Sequence, residues 1–291
     1  LGLRVSGGTY GMVALGWEDV AIAPGGSLAP GRFGTIAVVI PAFNEANTIR
    51  DIASGALACT PNVVVVDDGS TDGTADALDG LPVTLLRHPE NRGKAAALMR
   101  GLGAAMDHDV EGVVTLDGDG QHLPSDIRRL VRAARLHPEH LVIGSRLHDG
   151  AKFPPARLAA NRIANFWISW AAGQRISDTQ SGFRFYPAAL LRAVDWADLN
   201  GDGFVFESEI LIHAAECGYS STSVDIPALY DREYFRPSHF RPLRDITAIV
   251  RMVAWSLVRR GMYPVGLYRS LFPNWAGLTS YPKERPLALE D

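Results

Sequence analysis

Short, unbroken apolar runs recur along the first two thirds of the chain, and stretches with helical spacing fill the intervals. "TIAVVIPAF" from Thr35, "NVVVVDDGS" from Asn62, "LPVTLLRHP" from Leu81, "GVVTLD" from Gly112 and "LVIGSR" from Leu141 each read as a strand buried on both faces. Between them, "EANTIRDIASGALA", "TADALDG", "KAAALMRGLGAAM" and "SDIRRLVRAARLH" read as helices. Strands alternating with helices predict an α/β fold, a mostly parallel sheet flanked by helices. In such sheets ligands bind beyond the carboxyl ends of the strands. Asn44 and Glu45, Asp67 and Asp68, Asp117 and Asp119, and Ser145 and Arg146 all fall at such ends.

After about residue 150 the rhythm loosens. "PPARLAANRIANFWISWAAG" reads as a helix, "SDTQSGFRFYP" as a polar loop, "DGFVFESEILIHAAECG" as a further helix and "STSVDIPALY" as a strand. The expected organisation is an N-terminal extension over 1–34, poorly ordered, then one domain over 35–230 in two parts, 35–150 and 151–230. A basic amphipathic segment and tail follow over 231–291. Between Tyr230 and Phe272 arginines (Arg232, Arg236, Arg241, Arg244, Arg251, Arg259, Arg260, Arg269) far outnumber the acids Asp231, Glu233 and Asp245. Within this segment Ile246, Ile249, Val250, Val253 and Leu257 share one helical face. Such a helix either packs on the domain or lies on an anionic membrane surface.

Composition narrows the class. With 47% hydrophobic and 21% charged residues a sizeable core can form. A net charge of −4 gives no case for nucleic acid as a partner. Cys59 and Cys217 lie far apart with no CxxC, which speaks against a cysteine zinc site and for a reducing compartment. No apolar run reaches the roughly 18 residues of a membrane span. Residues 1–34 lack the basic start and long apolar centre of a signal peptide.

The strand ends then have to explain themselves chemically. No GxGxxG is present, and "NRGKAA" lacks the upstream glycine and the following Ser or Thr of a P-loop, so dinucleotide dehydrogenases and P-loop NTPases are disfavoured. "LDGDGQH" offers something else. Asp117, Asp119 and the amide of Gln121 are hard ligands able to hold Mg²⁺ or Mn²⁺ while leaving positions for phosphate oxygens. His122 is a further ligand or a structural residue. In "PAFNE", Pro41 reads as stopping the ladder, and Asn44 and Glu45 as opening the next helix. Ser70 or Thr71 can cap the helix after β-strand two. An aspartate at that strand end can accept from a nucleobase N–H. Arg92 and Lys94 either face phosphate or are surface charge. Glu207 and Glu209 suit a helix start through its dipole, or serve as carboxylate bases.

Taken together, "IPAFNEANTI", "VVVVDDGSTDGT", "NRGKAAAL", "TLDGDGQHLP", "IGSR" and "SDTQSGFRFYP" resemble, in order and spacing, family 2 glycosyltransferases with the GT-A (Rossmann-like) fold. Among these the chain is most similar to the dolichyl- or polyprenyl-phosphate sugar transferases, over roughly 36–230. The resemblance implies that 35–230 is a catalytic domain, with 35–150 its nucleotide-sugar part and 151–230 its acceptor part, and that Pro41, Phe43 and Glu45 line the nucleotide pocket, where Tyr is more usual than Phe43. It places Asp67 and Asp68 at base and ribose and Lys94 near the nucleotide. Asp117, Asp119 and Gln121 would hold the metal, Asp119 most directly. Arg146 would approach donor or acceptor phosphate, and Ser181 and Arg184 would receive the phosphate of a lipid acceptor.

The implied reaction is a single, inverting displacement on a nucleotide-diphosphate sugar, GDP-mannose or a UDP-sugar. A polyprenyl phosphate acceptor is already anionic and needs no base. A saccharide hydroxyl would need one, with Glu207, Glu209 and Asp178 as candidates. Two further readings are a non-catalytic nucleotide-sugar-binding subunit and a sugar nucleotidyltransferase, the latter disfavoured because "PAFNE" is no phosphate loop. Some relatives in the resembled group carry membrane spans that this sequence does not show, so a peripheral enzyme at the cytoplasmic face of a membrane is expected.

Overall fold

The computed structural model describes residues 35–147, 155–196, 199, 204–227 and 242–272. Seven strands make one sheet: β1 (Ile36–Ala42), β2 (Asn62–Asp67), β3 (Thr84–Arg87), β4 (Gly112–Thr115), β5 (His140–Ser145), β6 (Arg184–Pro187) and β7 (Ser220–Asp225). Their order is β3-β2-β1-β4-β6-β5-β7. The helices are α1 (Ile49–Leu57), α2 (Lys94–Met106), α3 (Ile127–Leu136), α4 (Pro155–Ala172), α5 (Ala188–Ala193), α6 (Phe204–Glu216), α7 (Pro242–Arg259) and α8 (Pro264–Leu271).

The continuous apolar runs are buried because helices cover both faces of the sheet. Successive side chains of a strand point to opposite faces. Ala37 and Val39 of β1 therefore join Val64, Val66 and Val113 in one core with α2, α6 and α7. Val38 and Ile40 join Val63, Val65 and Val114 in the other, against α1 and α3. Each such valine or isoleucine stabilises the fold by roughly 1.5–3 kcal/mol on burial.

Two expectations change. Residues 184–187, expected in a loop, form β6 in the middle of the sheet, antiparallel to both β4 and β5. Phe185 and Tyr186 enter the two opposite cores. A four-residue strand that begins with an arginine carries no readable alternation, and only its two neighbours make it a strand. It also merges the two expected halves of the domain, since residues of the second half sit between β4 and β5 of the first. Pro41 does not stop β1. It pairs in register with Val66, and Ala42 with Asp67. The β4 pairing of β1 ends at Val39 and Thr115, so Pro41 faces a ladder on one side only and its missing N–H is tolerated there.

In α7, Ile249, Val253 and Leu257 are buried in the core while Val250 is 54% exposed, so the helix does pack on the domain. Residues 1–34, Arg232, Arg236, Arg241 and the tail beyond 272 lie outside the described residues. Among the described residues no helix is long and apolar enough to cross a membrane. Cys59, buried, and Cys217, exposed, are both free.

Candidate active site

The chain leaves β1 toward β2 and β3 and later returns to place β4 on the other side of β1. This reversal opens a crevice at the carboxyl ends of β1 and β4. Two loops close its β1–β2 side by zipping together. The amide of Asn44 donates to Ser70 Oγ at 2.8 Å, Thr71 N donates to Asn44 Oδ1 at 2.9 Å, and Glu45 N donates to Thr74 Oγ1 at 2.8 Å. Asn44 takes a left-handed φ of 57°, which asparagine tolerates better than most residues. Ser70 thus serves the neighbouring loop instead of capping a helix of its own. Pro41 is buried, whereas Phe43 and Glu45 are half-buried at the rim.

Asp67 and Asp68 are both buried. Asp67 Oδ1 accepts from Ser70 N at 2.9 Å and its Oδ2 lies 3.1 Å from Arg87 Nε. Asp68 Oδ1 lies 2.6 Å from His88 Nδ1 and accepts from Arg92 N at 3.0 Å, while Oδ2 accepts from Gly93 N at 2.8 Å. Asp68 therefore holds the loop that starts α2. His88 was not foreseen: it sits on the neighbouring strand end, 20 residues away, and no spacing signals it.

Below the crevice lies a charge cluster. Lys94, first residue of α2, places Nζ 2.7 Å from Asp117 Oδ1 and 3.2 Å from Glu207 Oε2. Burial disfavours the lysine's charged form, but the two carboxylates outweigh it and raise its pKa. Burial likewise works against the Asp117 carboxylate, and Lys94, His122 and Arg146 outweigh it, so its pKa falls. The Asp119 carboxyl goes the other way, pushed up by burial and by the charge of Asp117. Gly182 makes this cluster possible. A Cβ there would sit 2.8 Å from Asp117 Oδ2, 2.8 Å from Glu207 Oε1 and 2.9 Å from Lys94 Nζ. Glu207 is buried, while Glu209, two positions along the same helix, is half-buried and turned away from it.

The expected metal set is only partly assembled. Asp117 and Asp119 converge, with Thr48 Oγ1 donating to Gly118 O at 2.6 Å to hold the turn between them. Gln121 presents its amide nitrogen to Asp119 Oδ2 at 2.8 Å and its oxygen to Arg146 Nη1 at 3.4 Å. Its oxygen is turned to an arginine, so Gln121 links Asp119 to Arg146. Among the described residues no three His, Cys, Asp or Glu side chains gather as a cage. Two neighbouring carboxylates, one with its pKa raised by the other's charge, still form a hard-oxygen donor pair that suits Mg²⁺ or Mn²⁺. The remaining positions would go to phosphate and water. His122 is buried against Phe183 with ring centroids 5.3 Å apart, and burial followed by the Arg146 charge lowers its pKa to about 3. Its Nδ1 is buried with no hydrogen-bond partner among the described residues.

At the carboxyl end of β5, Arg146 and Asp178 face each other. Asp178 Oδ2 accepts from Arg146 N at 3.1 Å and lies 3.7 Å from Arg146 Nε. Both side chains are buried, yet Arg146 Nε and Asp178 Oδ1 have no hydrogen-bond partner among the described residues. Ser181 is buried beside them, with Oγ accepting from Phe183 N at 3.4 Å. Arg184 departs from expectation. It has no exposed surface, and it donates to the carbonyls of Ser181 at 2.7 Å, Glu207 at 2.5 Å and Thr179 at 2.9 Å. It holds the loop from beneath, because its place in the central strand β6 points it inward.

The mixed seven-stranded sheet flanked by helices has the GT-A glycosyltransferase fold. The chain belongs to glycosyl transferase family 2, whose family model matches residues 37–197, and it is a glycosyltransferase. It is 30% identical to the polyprenol monophosphomannose synthase of Mycolicibacterium smegmatis over 65% of this chain and 75% of that one. It is 27% identical to the undecaprenyl-phosphate mannosyltransferase of Micrococcus luteus over 77% of this chain and 95% of the relative. Its fold is similar to that of glucosyl-3-phosphoglycerate synthase from Mycobacterium tuberculosis, solved with Mn²⁺, UDP and phosphoglyceric acid. The TM-score is 0.57 with 23% identity over 78% of each chain.

Proposed function

We propose that this glycosyltransferase moves a sugar from a nucleotide-diphosphate sugar, with Mg²⁺ or Mn²⁺ on the diphosphate, to the phosphate of a polyprenyl phosphate. The observation that carries the choice of acceptor is the state of the candidate bases. Glu207 is paired with Lys94 and Asp178 with Arg146, so two of the three carboxylates that could activate a hydroxyl are each held by a cation. A phosphate monoester oxygen is anionic at neutral pH and attacks without a base. The named activities of the polyprenol and undecaprenyl phosphate relatives support the same acceptor class.

In this reading Asp119, with Asp117 behind it, holds the cation, which supplies Lewis-acid stabilisation of the departing diphosphate. Lys94 fixes Asp117 and adds positive charge on the donor side. Phe43 and Glu45 border the nucleotide, with Asp67 and Asp68 building the loops around it. Arg146, whose Nε makes no hydrogen bond among the described residues, receives the acceptor phosphate, Asp178 and Ser181 orient it, and Arg184 keeps their loop in place. The acceptor oxygen attacks the anomeric carbon from the face opposite the leaving diphosphate, and the configuration inverts.

The purified protein incubated with GDP-mannose or UDP-sugars, Mn²⁺ and a polyprenyl phosphate should form an acid-labile glycosyl phosphate lipid that EDTA prevents. Transfer to a saccharide hydroxyl but never to a lipid phosphate would overturn the acceptor, and no metal-dependent transfer or donor hydrolysis with any donor would overturn the whole reading.

A further inference from the structure

Helices α4, α7 and α8 turn an unusual amount of apolar surface outward. On α4, Ile163, Phe166 and Trp167 are 61%, 39% and 40% exposed. With the half-buried Trp170 they form an i, i+3, i+4, i+7 stripe on the side away from the buried Ile168 and Ala171. On α7 and the turn after it, Trp255, Val258 and Met262 are 64%, 61% and 50% exposed. On α8 and just beyond, Val265, Tyr268 and Phe272 are about half exposed, with the last two rings 5.0 Å apart. These stripes meet. Trp170 stacks on Trp167 at 5.3 Å, and its Nε1 donates to the carbonyls of Met262 and Tyr263 at 3.1 Å, where α7 ends and α8 begins.

We infer that this three-helix face is the surface by which the protein beds onto an anionic lipid bilayer, with α4 turning the acceptor side of the site toward the lipid. Charge selects the occupant. Arg162, Arg251, Arg259 and Arg269 are exposed on the same helices, and apart from Asp245 the sequences of α4, α7 and α8 contain no acid. Exposed tryptophans among arginines suit the headgroup boundary, where the rings enter and the guanidinium groups meet lipid phosphates. None of the three helices is long and apolar enough to cross a membrane, so the face lies on the bilayer.

Asn165 ties the face to the site. It sits beside Phe166, accepts from Thr179 N at 2.9 Å and Thr179 Oγ1 at 2.7 Å, and donates to Ser177 O at 2.6 Å. Its partners flank Asp178, which faces Arg146. The loop that orients the acceptor arginine is therefore bonded to the helix that carries the apolar stripe. The orientation toward the site rests on the proposed lipid acceptor; the binding of the face to lipid does not.

The test is co-sedimentation of the full chain with vesicles of phosphatidylglycerol and phosphatidylcholine, and with phosphatidylcholine alone. The wild type should sediment with the anionic vesicles and bind several-fold less at high salt. W255S/V258S and R251E/R259E, checked by circular dichroism to be folded, should each bind the anionic vesicles at least tenfold less. Wild type remaining in the supernatant, or both variants sedimenting as well as wild type, would overturn the inference. So would a dimer seen by light scattering in the wild type and lost in W255S/V258S, since a second copy would then be the occupant. Transfer is measured in parallel. The variants should lose turnover with long-chain polyprenyl phosphate in vesicles and keep it with a short, water-dispersed prenyl phosphate. Vesicle binding that follows this pattern while no prenyl phosphate is glycosylated by any form would uphold the surface and sink the proposed acceptor.

Discussion

Lys94 Nζ lies 2.7 Å from Asp117 Oδ1, and on its other side it reaches Glu207 Oε2 at 3.2 Å. One ammonium at the start of α2 thus joins the strand-end carboxylate of β4 to a buried carboxylate of α6. Removing it leaves Glu207, with 6% of its side chain exposed, without that cation. Breaking a buried pair costs about 3–5 kcal/mol, and the quarter of the Lys94 side chain that stays exposed lowers the expectation to about 1–3 kcal/mol. Lys94→Met should therefore shift the urea midpoint down, and Lys94→Met with Glu207→Gln should recover part of the loss. Additive losses would mean the pair is not coupled.

Asp119 should carry the metal-dependent part of donor binding. In Asp119→Asn the nucleotide diphosphate should bind about tenfold or more weakly in Mn²⁺ by calorimetry, while wild type and variant should be alike in EDTA. Gln121→Ala should weaken Mn²⁺-dependent binding far less, because the Gln121 oxygen faces Arg146.

The two acceptor-side arginines should separate cleanly. Arg184→Ala empties a wholly buried site bonded to three carbonyls, so stability should fall by about 2–5 kcal/mol, with donor and acceptor binding lost together. Arg146→Lys keeps the charge but not the fork. It should raise the KM for lipid phosphate about tenfold and leave nucleotide affinity near that of wild type. A stability loss in Arg146→Lys as large as that of Arg184→Ala would remove the distinction.

Gly182→Ala places a methyl group among Asp117, Glu207 and Lys94. The Lys94 end is flexible and can retreat, so the fold should survive with a small drop in melting temperature. Turnover should nevertheless fall by more than tenfold, because Asp117 is displaced beside the Asp119 turn. Turnover near that of wild type would mean that the spacing of the cluster does not matter to the reaction.

Much of the fold was legible because parallel strands covered on both faces must be continuously apolar. "IAVVI" and "VVVV" announce β1 and β2 with no knowledge of their neighbours. β6 was illegible, since Arg184 is tolerated in a central strand only by the carbonyls of Thr179 and Ser181, in the turn just before it, and of Glu207, which arrives on α6. The acidic and basic residues at the strand ends were visible as a set, but their division of labour was not. Asp67 and Asp68 look alike in "VVVVDDGS", yet only Asp68 meets His88 and the amides of Arg92 and Gly93.

The sequence by itself determined the alternating α/β order, the strand ends that carry polar groups and the family to which the chain belongs, because burial periodicity and short motifs are local properties. Tertiary structure alone decided which of those groups are used up inside the protein. Arg184 and Asp68 are consumed in holding loops, Lys94 is shared between Asp117 and Glu207, and Arg146 keeps an Nε that makes no hydrogen bond among the described residues. A side chain's availability depends on which donors and acceptors the fold brings within about 3 Å of it, and for Asp68 and Lys94 those come from residues 20 to more than 100 positions away.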